Sequence, residues 1–228
     1  MPKKQTYIKR SDLIGEKPWL KKTKPSKYKI ETEEKKRTIL IVCEGQTEEL
    51  YFKSFPVVTL RVEVVELGQS KLKLVDTAFR LSEQKAYDEI WCVFDLDIKR
   101  DEENCIPDFD NAISRAMNWG YKVSYSNDAF ELWFYLHYQY TDHENHRKFY
   151  YQKLGDLWNL NYEKEGKRWD FCYNNYNRLD DDTRANQRKA IERAKKLYEL
   201  KKQLPFHLQN PVSKIFELVE LLNKNLKQ

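Results

Sequence analysis

The chain has 228 residues, 40% hydrophobic and 14% aromatic, enough to bury one good core with a helical appendage. Its net charge of +5 is unevenly spread: Lys and Arg against Asp and Glu number 13 to 5 in residues 1–37, 17 to 26 in residues 38–181, and 11 to 5 in residues 182–228. With no apolar run of about 18 residues and no apolar segment behind the basic amino terminus, neither a membrane span nor a secretory signal is expected.

Residues 1–36 have scattered apolar positions without a period, and Pro18 and Pro25 weaken any long helix, so a basic, partly disordered arm is expected there. Arg37–Cys43 is a continuous β-branched run suited to a strand buried on both faces. A short helix over Thr47–Phe55, capped by Thr47, closes before Pro56. Leu60–Val65 alternates as a second strand, and Leu72, Val75, Ala78 and Phe79 have the spacing of a crossover helix. Ile90–Phe94 is the third strand. Asp110–Trp119 is helical, Gly120 ends it, and Tyr121–Tyr125 is the fourth strand.

Ser126, Asn127 and Asp128 supply caps for a helix through Phe130, Trp133, Phe134 and His137. The aromatics from Phe149 to Trp158 suggest another helix, while Trp169–Tyr176 has no clear assignment. Residues 183–203 form a charged amphipathic helix, and Pro211 opens a last one with Ile215, Phe216, Val219 and Leu222 on one stripe. The repeated strand–helix spacing predicts an α/β fold: a small parallel sheet with helices on both faces over residues 37–140, then a mostly helical extension over 141–228.

In open parallel sheets, ligands gather outside the carboxyl ends of the strands. Glu44 follows the first strand, and Asp95 and Asp97 follow the third. Side chains alternate along extended chain, so the two aspartates can point the same way while Leu96 packs elsewhere. Hard oxygen ligands without His or Cys suit Mg²⁺ or Mn²⁺, and a cation would relieve the repulsion among adjacent carboxylates. A polar turn after a strand also produces Asp-x-Asp, and the equivalent Glu44-Gly45 turn is what favours the metal reading. Glu48, one helical turn beyond Glu44, is a further ligand or a favourable first-turn charge. Glu131 is either a fourth carboxylate at the same edge or a solvated residue on an apolar helix. Gly45 permits close backbone approach to a ligand, and the helix start near Thr47 can present amides to a phosphate.

Cys43, Cys92, Cys105 and Cys172 lack CxxC or finger-like spacing, which argues against a zinc site or disulfide framework and for a reducing cytoplasm. GxxxxGK[ST] and GxGxxG are absent, so neither intrinsic ATPase activity nor dinucleotide binding has support. His137 reads as a packed histidine and not a general base. Lys99 and Arg100 follow the acidic pair and either hold a phosphate or form an exposed turn. Arg37, Arg184, Arg188, Lys189, Arg193, Lys195 and Lys196 are the other backbone-contact candidates.

The segments Ile39-Leu40-Ile41-Val42-Cys43-Glu44-Gly45-Gln46-Thr47-Glu48, Trp91-Cys92-Val93-Phe94-Asp95-Leu96-Asp97 and Ser126-Asn127-Asp128-Ala129-Phe130-Glu131-Leu132-Trp133 resemble the RloB family. That Toprim-type family, which also includes the second protein of the abortive-infection system AbiL, occurs in anti-phage loci beside an ABC-like or AAA-like ATPase. The resemblance covers about residues 37–220. It implies a Toprim-like core with the first-strand glutamate at Glu44, the Asp-x-Asp pair at Asp95 and Asp97, and a further acid at Glu131. Asp128 stands where the family segment has proline, which preserves a helix start but can alter the turn.

The expected function is therefore Mg²⁺- or Mn²⁺-dependent hydrolysis of DNA or structured RNA such as tRNA, in defence with a partner ATPase. Oligomeric state is left open, with a homo-oligomer admissible, and no membrane role is expected. A primase-like polymerase and a phosphatase or small-nucleotide hydrolase are enzyme alternatives. The non-enzyme alternative is a nucleic-acid-binding sensor or regulatory subunit on a degenerate scaffold.

Overall fold

The structure is a computed structural model that describes residues 36–68, 70–97 and 105–226. The arm expected over residues 1–36 lies outside them except for its last residue, and so do Lys99 and Arg100.

Five strands form one sheet in the order β2-β1-β3-β4-β5. Strands β1 (Arg37–Cys43), β2 (Leu60–Glu66), β3 (Glu89–Asp95) and β4 (Lys122–Asn127) are mutually parallel. The short β5 (Val212–Ser213) runs antiparallel along β4. Central β1 is covered on both faces, as its unbroken apolar run requires. Ile39, Ile41 and Cys43 belong to one core cluster, while Leu40 and Val42 belong to the other. The same alternation divides β3, with Trp91 and Val93 facing one core and Ile90, Cys92 and Phe94 the other. Each such side chain contributes roughly 1.5–3 kcal/mol by leaving water.

One face is covered by α2 (Lys71–Gln84) and α3 (Cys105–Asn118), through Leu74, Val75, Ala78, Phe109, Ala112, Ile113 and Ala116. Phe79, placed on the same stripe by spacing, is instead half-exposed and packs on Trp119 at the outer edge. The other face carries α1 (Gln46–Lys53), α4 (Glu131–Tyr138) and α5 (Arg147–Trp158), followed by the short α6 (Tyr162–Glu165), α7 (Trp169–Cys172) and α8 (Asn175–Asp181). Helices α9 (Gln187–Lys201) and α10 (Ile215–Asn223) complete that layer. Helix α4 is apolar nearly all round because seven of its residues, Glu131–His137, are buried.

Three local expectations fail. Thr47 does not cap α1; Gly45 holds the cap position in extended conformation, and the Thr47 hydroxyl turns toward Cys172 Sγ at 3.6 Å. Ser126 and Asn127 do not cap α4, because they continue β4, and Phe130 occupies the cap position without a side-chain cap. Pro211 does not open a helix. It follows a cis peptide bond and leads into β5, which returns the chain to the edge of the sheet before α10 begins. Cys43, Cys92 and Cys172 are buried free thiols. Among the described residues no helix is long and apolar enough to cross a membrane.

Candidate active site

The carboxyl ends of β1 and β3 are adjacent because their strands pair directly, and this brings Glu44, Asp95 and Asp97 to one edge. Glu44 is held by its own backbone: its N–H donates to the Val93 carbonyl at 3.0 Å, and its carbonyl accepts from the Gly68 N–H at 3.0 Å. Its Oε1 accepts from Lys71 Nζ at 3.1 Å. Lys71 reaches it because Asp108 of α3 accepts the first amides of α2, those of Lys71 at 2.9 Å and Leu72 at 3.2 Å. A carboxylate from a neighbouring helix thus does the work of an N-cap, and that aims Lys71 inward.

Asp95 Oδ2 accepts the Phe130 N–H at 3.1 Å, tying the end of β3 to the entry of α4. Leu96 is fully buried and Asp97 turns through a positive φ of 50°. The Asp97 carboxylate pairs with Arg147, whose other guanidinium nitrogen lies 3.5 Å from Asp128 Oδ1. Asp128 also accepts the Arg147 N–H at 3.0 Å. It therefore anchors the start of α5 and not that of α4.

Glu131 is fully buried, contrary to the solvated alternative. Its Oε1 accepts from the Tyr162 hydroxyl at 3.0 Å and pairs with Lys167 Nζ at 2.5 Å. Lys167 lies between α6 and α7, with its ammonium 5.1 Å from the centre of the Tyr151 ring. Glu48 is buried on α1 and lies within electrostatic reach of Glu44, Glu131 and Lys167. Among the described residues, the carboxylates of Glu44, Glu48, Asp95, Asp97, Asp128 and Glu131 are thus balanced by three cations, Lys71, Arg147 and Lys167.

That imbalance appears in the titration of the acids. Burial pushes Asp95 well above the usual carboxylate range even though part of its surface meets solvent, and Glu44, Glu48 and Asp97 push it further. Burial also raises Glu44, against the opposing Lys71 ammonium and the Asp95 main-chain N–H. Glu48 is pushed up to about 7, first by burial and then by Glu131 and Glu44. Burial alone would lower Lys71 and Lys167, but the acids around them win and raise both. Arg147 is raised in the same way by Asp95, Asp97 and Asp128.

The donor chemistry fits a hard divalent cation. All candidate ligands are carboxylate oxygens, and Glu44 Oε2 and Glu131 Oε2 are buried without a hydrogen-bond donor. Among the described residues, however, no group of three or more His, Cys, Asp or Glu side chains is already arranged to hold a metal. Lys71, Arg147 and Lys167 occupy carboxylate oxygens that a cation would claim.

The proposed backbone-contact residues are dispersed. Arg37 pairs with Glu89 at the amino end of β1, the opposite end of the strand from Glu44. Arg184 is held by Asp182 at 2.9 and 2.7 Å and by the Leu157 carbonyl at 2.9 Å. On α9, Arg193 donates to the Leu136 carbonyl at 2.6 Å, docking that helix on α4. Arg188 pairs with Glu192 at 3.2 Å, Lys195 pairs with Glu220 at 2.6 Å, and Lys196 lies over the Tyr140 ring. Lys189 is exposed. His137 is buried, with Nδ1 3.0 Å from the Trp133 carbonyl.

The family model described as RloB-like protein matches residues 39–222, most of the chain. The chain belongs to the RloB-like family. The match spans Glu44, Glu48, Asp95, Asp97 and Glu131, so every candidate ligand of this RloB-like chain lies inside the family region. No curated protein and no solved structure matches it significantly. Lys71, Arg147, Lys167 and Tyr162 were not foreseen as site residues; each is a single residue in a separate element, with no spacing signal to link it to the acids.

Lys167→Ala is expected to destabilise the RloB-like chain by about 1–3 kcal/mol, because buried Glu131 would keep only the Tyr162 hydroxyl. Glu131→Gln combined with Lys167→Ala should recover much of that loss. Urea midpoints of the single and double variants provide the check, and strictly additive losses would contradict the pairing.

Proposed function

We propose that this RloB-like chain is a metal-dependent phosphodiesterase of nucleic acid, a cytoplasmic defence effector working with a partner ATPase on a Toprim-like core. The observation that carries the reading is the convergence of Glu44, Asp95 and Asp97 at the carboxyl edge of the parallel sheet, with Glu48 and Glu131 in electrostatic reach. Glu44, Asp95 and Asp97 would hold Mg²⁺ or Mn²⁺, and Glu48 and Glu131 would complete the ligand set. When bound, such a cation supplies charge stabilisation to the phosphate oxygens and a more acidic water.

The chain's own cations have complementary work. Lys71, Arg147 and Lys167 lie against the acids and can transfer to the phosphate as it enters, which positions the backbone and frees carboxylate oxygens. Glu44, beside Lys71, is the acid suited to accept a proton from the attacking water. A cleft of about 640 Å³, lined in part by Lys148, Tyr151, Asn161 and Tyr162, shares Tyr162, whose hydroxyl donates to Glu131.

A second reading, a nucleic-acid-binding sensor or regulatory subunit without catalysis, is favoured by the ion pairs that already engage Glu44, Asp97 and Glu131. Incubation of plasmid DNA, single-stranded DNA and total tRNA with Mg²⁺ or Mn²⁺, with and without the neighbouring ATPase, separates the two. Cutting abolished by EDTA and by Asp95→Asn supports hydrolysis and identifies the polymer. Binding without cutting, unchanged in Asp95→Asn and lost on charge reversal across residues 184–196, supports the sensor.

A further inference from the structure

Trp169 and Tyr173 are 57% and 52% exposed, whereas nearby Tyr162 is sealed in the core. About one helical turn separates the pair, and the Tyr173 N–H donates to the Trp169 carbonyl at 2.9 Å. Their ring centres lie 5.1 Å apart and their planes 19° from parallel, an offset stack. Rings so exposed forgo much of the stabilisation that burial would supply.

What lies beneath the pair fixes its place. Cys172, between them on α7, is fully buried, with Sγ 3.6 Å from the Thr47 hydroxyl and 3.2 Å from the Gly166 carbonyl. Gln46, the first residue of α1, donates from Nε2 to the Lys167 carbonyl at 3.5 Å. Helix α7 is thus seated on the same first turn of α1 that carries Glu48. Lys167, whose ammonium pairs with Glu131, stands two residues before Trp169, so their Cα atoms are at most about 7.6 Å apart. Residues 167–170 are all exposed, and they join the acid cluster to the open stack.

Position and chemistry decide what this stack meets. Arg168 lies between Lys167 and Trp169, and its 3.4 Å pair with Asp170 sits in solvent, where it is easily given up. Two cations followed by an open aromatic stack match a phosphate backbone and its base. Bases inside a duplex are stacked on both faces, whereas an unpaired base has a face free for Trp or Tyr.

We propose that Trp169 and Tyr173 form a stacking platform for an unpaired base near the phosphate held at the carboxylates. The polymer recognised is then a single-stranded segment, such as a loop, bulge or free end. This inference rests on the nucleic-acid reading of the site and narrows its substrate.

The test is binding by the full chain in EDTA, followed by fluorescence anisotropy at fixed ionic strength. The probes are a labelled single-stranded oligonucleotide and the same sequence as a blunt duplex. The parent is expected to prefer the single strand, and Trp169→Ala with Tyr173→Ala should weaken that binding about tenfold or more. Trp169→Phe with Tyr173→Phe should retain most of it, which keeps the comparison open if the alanine variant fails to fold. A 2-aminopurine base walked along the strand should be quenched at one position by the parent and not by the alanine variant. Unchanged affinity in the alanine variant, or a parent that prefers the duplex, overturns this inference alone. A parent that binds neither form overturns it together with the nucleic-acid reading. Intact affinity in an alanine variant that sediments as a monomer beside a dimeric parent assigns the pair to a second copy instead.

Discussion

Asp95→Asn is expected to lower metal-dependent cleavage by a factor on the order of 10³ while making the metal-free fold more stable. The two effects have one cause. Asp95 is crowded by Glu44, Glu48 and Asp97, and burial disfavours its charged form. Asparagine removes that charge, while its side-chain oxygen can still accept the Phe130 N–H now received by Asp95 Oδ2. A gain of about 0.5–2 kcal/mol is expected near neutral pH, the usual yield when a functional site is relieved of its conflict. Cleavage rates and urea midpoints measured in EDTA test the pair of effects. A variant that loses activity because it is unfolded would refute this account of Asp95.

Glu48→Gln should change the pH dependence of stability by up to about 3 kcal/mol between acid and neutral conditions. The ordinary carboxylate value is 4.5, and burial raises Glu48 in the fold to about 7. A raised acid binds protons more tightly in the folded chain than in the unfolded one. Its contribution is therefore most favourable below the unfolded value, is lost as pH rises from 4.5 to about 7, and then levels off. Glutamine does not titrate, so the advantage of the variant over the parent should open across that window and stay open above it. Urea midpoints in EDTA from about pH 4 to pH 8 give the profile. A constant difference across the window would show that Glu48 is not held in this way.

The sheet was legible because β1 and β3 are buried on both faces and are written as unbroken apolar runs. Arg37–Cys43 was read with the observed bounds, and the acids after both strands followed from that placement. What could not be read was chemistry assembled by topology. Lys71 faces Glu44 only because Asp108, 37 residues later, holds the start of α2. Arg147 meets Asp97 because Asp128, read as the cap of one helix, anchors the next. Pro211 illustrates a different limit: proline is as much at home leading into an edge strand as at a first helical turn, and the stripe of Ile215, Phe216, Val219 and Leu222 does not reveal where the helix begins.

The central claim is that these carboxylates hold a divalent cation despite the ion pairs that now engage them. Titration of Mn²⁺ into the full chain after exhaustive EDTA treatment, followed by electron paramagnetic resonance of the unbound ion, tests it most directly. The account predicts saturable binding that weakens about tenfold or more in Asp95→Asn, a variant that remains folded. No saturable binding in the parent, or equal binding by parent and variant, would contradict it.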